Sequence, residues 1–305
     1  MVSGASPVTF FGYWSGSLPA VTELHFRSFL AQHPESTYDL WLDQDAGSAI
    51  VAPELQWLAS HPRIRVRPFS LDALIEQHVG VRPHRSRRLQ WLRRIGHAVH
   101  RRVRPSWSRR KAWDHEQFGL TYMHSSMLFS GFDDDPSYRA DIARFLVPLA
   151  HYPQASLYSN LDVCFTSDLT RLCESSGFAY RRETFGFADN AIVYMPNASW
   201  SAAMVRKANA IETFRPWVLL SDAHCAELGL AIHPGRLVDP MRDPTSLLYG
   251  DATGFFGARD NLALDLHALS IERHHAIRWH AHWQAVPAPT SIYGGLLRAC
   301  ASTGQ

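Results

Sequence analysis

Over its first 70 residues the chain alternates between short β-branched or aromatic runs and amphipathic stretches, and this order constrains the fold more than any other feature. Residues 8–14 form a strand pattern that ends in the turn Ser15-Gly16-Ser17-Leu18-Pro19. Residues 20–32 place Val21, Leu24, Phe26, Phe29 and Leu30 near helical spacing. Residues 38–42 read as a second strand, 53–60 as a helix with Pro53 in its first turn, and 64–67 as a third strand. A β-α-β-α-β order predicts an α/β fold with a mainly parallel, Rossmann-like sheet flanked by helices. Further on, 114–129, 136–152 and 199–212 read as helices, and 155–159 and 191–194 as strands. Beyond residue 215 the pattern weakens among His, Trp and Pro residues.

Charge divides the chain. Of its 30 cationic side chains, eleven Arg and one Lys lie between Arg82 and Lys111, where there is no Asp or Glu. The remainder carries 18 cations against 28 acids, so the overall charge of +2 hides a basic island in an acidic body. Within the island Leu89, Leu92, Ile95 and Val99 approach a helical stripe, with arginines around it. Three readings stay open: a solvated helix packed by that stripe, a helix lying on anionic lipid, or a contact for a polyanion. Interleaved aromatics are few, which argues against nucleic acid.

Other classes find no motif. Four cysteines without a C-x-x-C pair suit a reduced compartment, and no signal peptide or membrane-length apolar run is visible, so a cytoplasmic location is expected. There is no P-loop, no G-x-G-x-x-G, and no nucleophile elbow. Asp133-Asp134-Asp135 reads as a loop and helix cap.

The stretch 138–169 is the most informative. A helix carries Asp141 and Arg144 three residues apart, on one face. After a turn comes a strand ending in Asn160-Leu161-Asp162. Residues two apart at a strand end project to the same side, so Asn160 and Asp162 can present oxygen ligands to a hard cation at the carboxyl edge of the sheet. The alternatives are a surface ion pair for the first two and a plain turn for the second.

These segments together resemble the sugar-binding region of glycosyltransferase family 32 and its relatives with a D-x-D motif. Ala140-Asp141-Ile142-Ala143-Arg144-Phe145 and Leu157-Tyr158-Ser159-Asn160-Leu161-Asp162-Val163 carry the likeness, with Asn160 in place of the first Asp. Tyr13-Trp14-Ser15-Gly16-Ser17-Leu18-Pro19, the strand from Tyr38, and Asn190-Ala191-Ile192-Val193 are similar to its other strands. His280-Ala281-His282-Trp283 is similar to its terminal segment.

The resemblance implies a single GT-A-like domain over 1–305 with a basic helical insertion at 80–112. It implies a retaining transferase that moves a sugar from a nucleotide-diphosphate donor, a UDP-sugar, to a saccharide or lipid-linked acceptor in polysaccharide biosynthesis, and the bias of 28 Arg to two Lys suits a GC-rich, bacterial genome. Tyr13, Trp14, Gly16, Asp141, Arg144, Tyr158, Asn160 and Asn190 would then contact the donor. Asp162, Asn160, His280 and His282 would hold Mn²⁺ or Mg²⁺. No residue is assigned as nucleophile. Lipid-linked acceptors would suit an island, 82–111, in peripheral contact with the inner membrane face. The competing reading is an inactive relative that binds or scaffolds, with Asn160 marking a degraded site.

Overall fold

The structure is a computed structural model, which describes residues 8–19, 22–80, 136–173, 176–181, 188–211, 214, 219–234 and 263–265. The basic island, the helix expected at 114–129, the Asp133-Asp134-Asp135 cap, His280 and His282 lie outside the described residues.

Seven strands form one mixed, mostly parallel sheet: β1 (Thr9–Trp14), β2 (Tyr38–Asp43), β3 (Ile64–Phe69), β4 (Ser156–Ser159), β6 (Phe178–Arg181), β7 (Ala188–Met195) and β8 (Ala231–Pro234). Their order is β3-β2-β1-β4-β7-β6-β8. β1, β2, β3 and β4 are mutually parallel, and β8 is parallel to β6, while β7 runs antiparallel to both β4 and β6. β5 (Val163–Phe165) leaves the main sheet and pairs antiparallel with β9 (Ala263–Asp265). The helices are α1 (Thr22–Gln32), α2 (Leu71–Val79), α3 (Pro136–His151), α4 (Ala198–Ala210) and α5 (Asp222–Glu227).

Alternation along the strands fills two cores. Phe11, Tyr13, Trp41, Tyr158 and Val193 pack with the apolar sides of α2, α3 and α4. Phe10, Tyr38, Leu40, Leu42, Leu157 and Ile192 pack with Phe26 and Phe29 of α1 on the other face. β2 is buried at all six positions, as expected of a strand covered on both faces.

Several expectations meet corrections. The 53–60 segment is a 3-10 helix over Pro53–Ala59 rather than an α-helix. α2 was not read from the sequence, although Ser70 caps it by accepting from the Ala73 amide and Gly80 ends it at φ 76°. β4 ends at Ser159, so Asn160 and Asp162 do not lie on the strand as expected. They flank the buried Leu161 in a turn closed by the Val163 amide donating to the Asn160 carbonyl at 3.2 Å.

That turn depends on a glycine in β1. A Cβ on Gly12 would stand 2.3 Å from the Tyr38 hydroxyl, 2.6 Å from a Leu161 methyl and 3.0 Å from the Ser159 carbonyl. A glycine inside an aromatic strand often marks such a close approach. Gly12→Ala should therefore destabilise the protein by about 1–3 kcal/mol, read as a lowered urea midpoint at unchanged slope.

Helix α1 also supplies polar groups to the segment that follows the turn. His25 Nδ1–H donates to the Val163 carbonyl at 2.7 Å, Ser28 Oγ accepts from the Phe165 amide, and His33 Nε2 accepts from the Leu169 amide. Burial lowers the pKa of His25 to about 3 and that of His33 to about 4. Both fold as neutral rings, whereas the unfolded chain protonates them near pH 6.5. Stability should thus be complete above that pH and fall below it, by up to about 1.4 kcal/mol per pH unit for each ring. The fall should flatten below about pH 4 for His33 and about pH 3 for His25. Urea unfolding measured from pH 7.5 downward checks the window.

Candidate functional site

The carboxyl ends of β1, β2 and β4 lie on one edge of the sheet, and α3 starts there, with Arg139 in its first turn, and runs back along the sheet toward Asp39. Arg139, Asp141 and Arg144 all come from that helix. Helical order there follows from Pro136 in the first turn and the apolar series Tyr138, Ile142, Phe145 and Leu146, all buried.

Asp141 and Arg144 form an ion pair of 3.2 Å, and both side chains are buried. The surface-pair alternative is therefore excluded. The Arg144 guanidinium also lies over the Tyr158 ring, 4.6 Å from its centroid, and its Nε donates to the Ala140 carbonyl. The Tyr158 hydroxyl in turn donates to Asn160 Oδ1 at 2.9 Å. Four of the residues singled out in the sequence thus form one connected chain, from helix to strand to turn. Asn160 is held on its backbone side too, its amide donating to the Ala191 carbonyl at 2.7 Å. The backbone of Asn190, one residue earlier in β7, accordingly lies beside this turn. Asp162 is half-buried in the same turn.

The end of β1 builds a second group. Gly16 adopts φ 91°, which glycine alone takes without strain, and its amide donates to Ser48 Oγ at 2.8 Å. Ser48 Oγ donates to the Trp14 carbonyl, and the indole of half-buried Trp14 donates to the Ser17 carbonyl. Tyr13 is placed differently. It is buried in the core, edge-on to Phe69, and its hydroxyl donates to Asp43 Oδ2 at 2.7 Å. Burial first, and the Asp43 carboxylate second, hold its phenol well above the ordinary tyrosine range. In this position the ring offers no free face for stacking.

Two residues missed by sequence reasoning, Arg139 and Asp43, join these groups. Arg139 Nε donates to Asp43 Oδ2 at 2.7 Å, and Nη1 reaches Asp72 at 2.9 Å. Asp45 lies 3.7 Å from Nη2 and also accepts from Ser70 Oγ and the Asp72 amide. An arginine inside an otherwise apolar helix face, with three aspartates following two strands, was the available signal.

As metal ligands, the oxygens of Asp162 and Asn160 suit a hard cation. Among the described residues there is no cluster of three or more His, Cys, Asp or Glu that could hold a metal ion. His280 and His282, expected to complete the set, lie outside the described residues.

No protein-family model matches the chain, and no curated protein matches it. Solved structures similar to it are glycosyltransferases. The apo bifunctional glycosyltransferase WbbM aligns over 99% of this chain and 50% of its own, with TM-score 0.45 and 10% identity. The galactosyltransferase LgtC, in complex with donor and acceptor sugar analogues, aligns over 96% of both chains, with TM-score 0.45 and 11% identity. The glycosyltransferase GlyE of Streptococcus pneumoniae TIGR4 aligns over 97% of this chain and 60% of its own, with TM-score 0.42 and 10% identity. The chain thus spans half the length of WbbM. At these identities the likeness gives no side chain of this protein a role.

Breaking the buried pair tests how much the site depends on it. Arg144→Met breaks the buried pair with Asp141 and should cost about 3–5 kcal/mol, measured by chemical denaturation, with Arg144→Lys losing less.

Proposed function

We propose that the protein is a glycosyltransferase that takes a nucleotide-diphosphate sugar, a UDP-sugar in the first instance, and passes the sugar to a saccharide or lipid-linked acceptor with retention. The observation that carries this reading is the connected chain Asp141–Arg144–Tyr158–Asn160, which runs to the Asn160–Asp162 turn at the carboxyl edge of β4. Ligands of open α/β sheets bind at that edge. The same residues carry the resemblance to the D-x-D enzymes.

Each group has a physical task in this reading. When the glycosidic bond to the donor breaks, negative charge grows on the departing diphosphate. A bound Mn²⁺ or Mg²⁺ would supply Lewis-acid stabilisation of that charge. Asp162 is the carboxylate that would hold the ion, with the Asn160 amide oxygen adding a neutral contact. Because the Tyr158 hydroxyl already donates to Asn160 Oδ1, that oxygen is fixed in direction. The Trp14–Gly16 turn lies at the neighbouring strand end, where the nucleoside would sit. Asp141 and Arg144 would face the sugar hydroxyls once the donor opens access to them. The whole of 1–305 is read as a single transferase domain. Residues 82–111 belong to the proposal as the contact with anionic lipid or acceptor, at the inner membrane face.

Calorimetry with UDP and Mn²⁺ tests the reading against an inactive scaffold. Binding that is lost on chelation supports it, and no binding at millimolar ligand removes it. Asp162→Ala should lower donor turnover by about 100-fold or more while the melting midpoint stays within a few degrees. Full turnover in that variant would exclude the metal-assisted mechanism.

A further inference from the structure

We infer that Arg139 is the positioning residue of the donor site: it sets the placement of α3, and so aims the Asp141–Arg144 pair at Tyr158 and Asn160. The inference rests on the glycosyltransferase reading for its functional meaning, and on geometry for its mechanism.

Arg139 is itself buried, only 2% exposed, and so is not offered as a substrate contact. It binds four elements at once. Asp43 closes β2, Asp45 follows in a 3-10 turn, Asp72 stands in the first turn of α2, and the Tyr13 hydroxyl lies at the end of β1. Arg139 precedes Asp141 by two residues and Arg144 by five on a single helix. Any slide or rotation of α3 against the strand ends would break several of these contacts together. On another side of the helix, the Tyr138 hydroxyl accepts from the Phe214 amide at 3.1 Å.

Apolar packing alone would hold α3 less selectively. The residues of α3 in the core are Tyr138, Ile142, Ala143, Phe145, Leu146 and Val147, and contacts of this kind tolerate repacking. A guanidinium is planar, with donors in a fixed fork, so it imposes direction as well as distance. Replacing a buried ion pair by apolar residues is often neutral for stability. The two roles, stability and placement, can therefore be separated by experiment.

The decisive variant is the double substitution Asp43→Leu with Arg139→Met, which removes the two fully buried charges together and leaves Asp45 and Asp72, each about a fifth exposed, to water. Arg139→Lys is the second, since it keeps the charge but cannot span the same carboxylates. Each is assayed with UDP-glucose and Mn²⁺, alongside thermal melting and hydrogen exchange of residues 136–146. The expected result is cooperative melting in both variants, a KM for the donor raised about tenfold, kcat within threefold, and faster exchange confined to α3. An unchanged KM with unchanged exchange in a folded variant would overturn the inference. Should the wild-type protein neither bind UDP nor turn over any donor, the functional reading fails. Exchange in α3 then still decides whether Arg139 fixes the helix.

Discussion

Asp43 ends a strand that is covered on both faces, and none of its surface reaches solvent. A carboxylate there must be matched where it stands, since an unpaired buried charge costs several kcal/mol. Arg139 supplies the match, and with it a geometric requirement. Four segments far apart in sequence have to meet at one guanidinium: the ends of β1 and β2, the start of α2, and the first half of α3. The rest of the site follows from that meeting. Once α3 is placed, Arg144 reaches over Tyr158, Tyr158 reaches Asn160, and the turn containing Asp162 has one face fixed.

The other face of the same turn is set by a different force. Leu161 inserts against β1 because Gly12 has no side chain, and Tyr38 and Ser159 close around the space. Behind it, α1 offers His25, Ser28 and His33 to backbone groups at Val163, Phe165 and Leu169. A short strand outside the main sheet would otherwise leave buried polar groups without partners. Steric fit on one side and directional polar contacts on the other hold a turn whose own sequence is ordinary.

This division explains what the sequence made legible. Local patterns carried the elements: aromatic alternation gave β1 and β2, and Pro136 with a helical apolar stripe gave α3. Helical spacing put Asp141 and Arg144 on one face, but not their burial as a pair. What was missed depends on contacts between distant segments. α2 has only nine residues and follows β3 directly, so its signal merged with the strand before it. The turn at Asn160 read as a strand end because it follows the β4 run directly. Only the approach of β1 shows that Leu161 points into a core shared with Gly12. Asp43 and Arg139 are separated by 96 residues, so no local pattern joins them.

Tyr13 makes the same point from the opposite direction. The resemblance gave Tyr13 and Trp14, side by side at a strand end, the same role as donor contacts. Strand alternation sends the two side chains to opposite faces, however, and only Trp14 stays near solvent. Tyr13 faces α3, gives its hydroxyl to Asp43 and accepts from Arg139, so it belongs to the frame of the sheet edge. Aromatic residues at a sheet edge therefore have to be divided by face before roles are given to them. Here that division leaves Trp14 and Gly16 half-buried at the strand end and gives Tyr13 to the network that carries the helix.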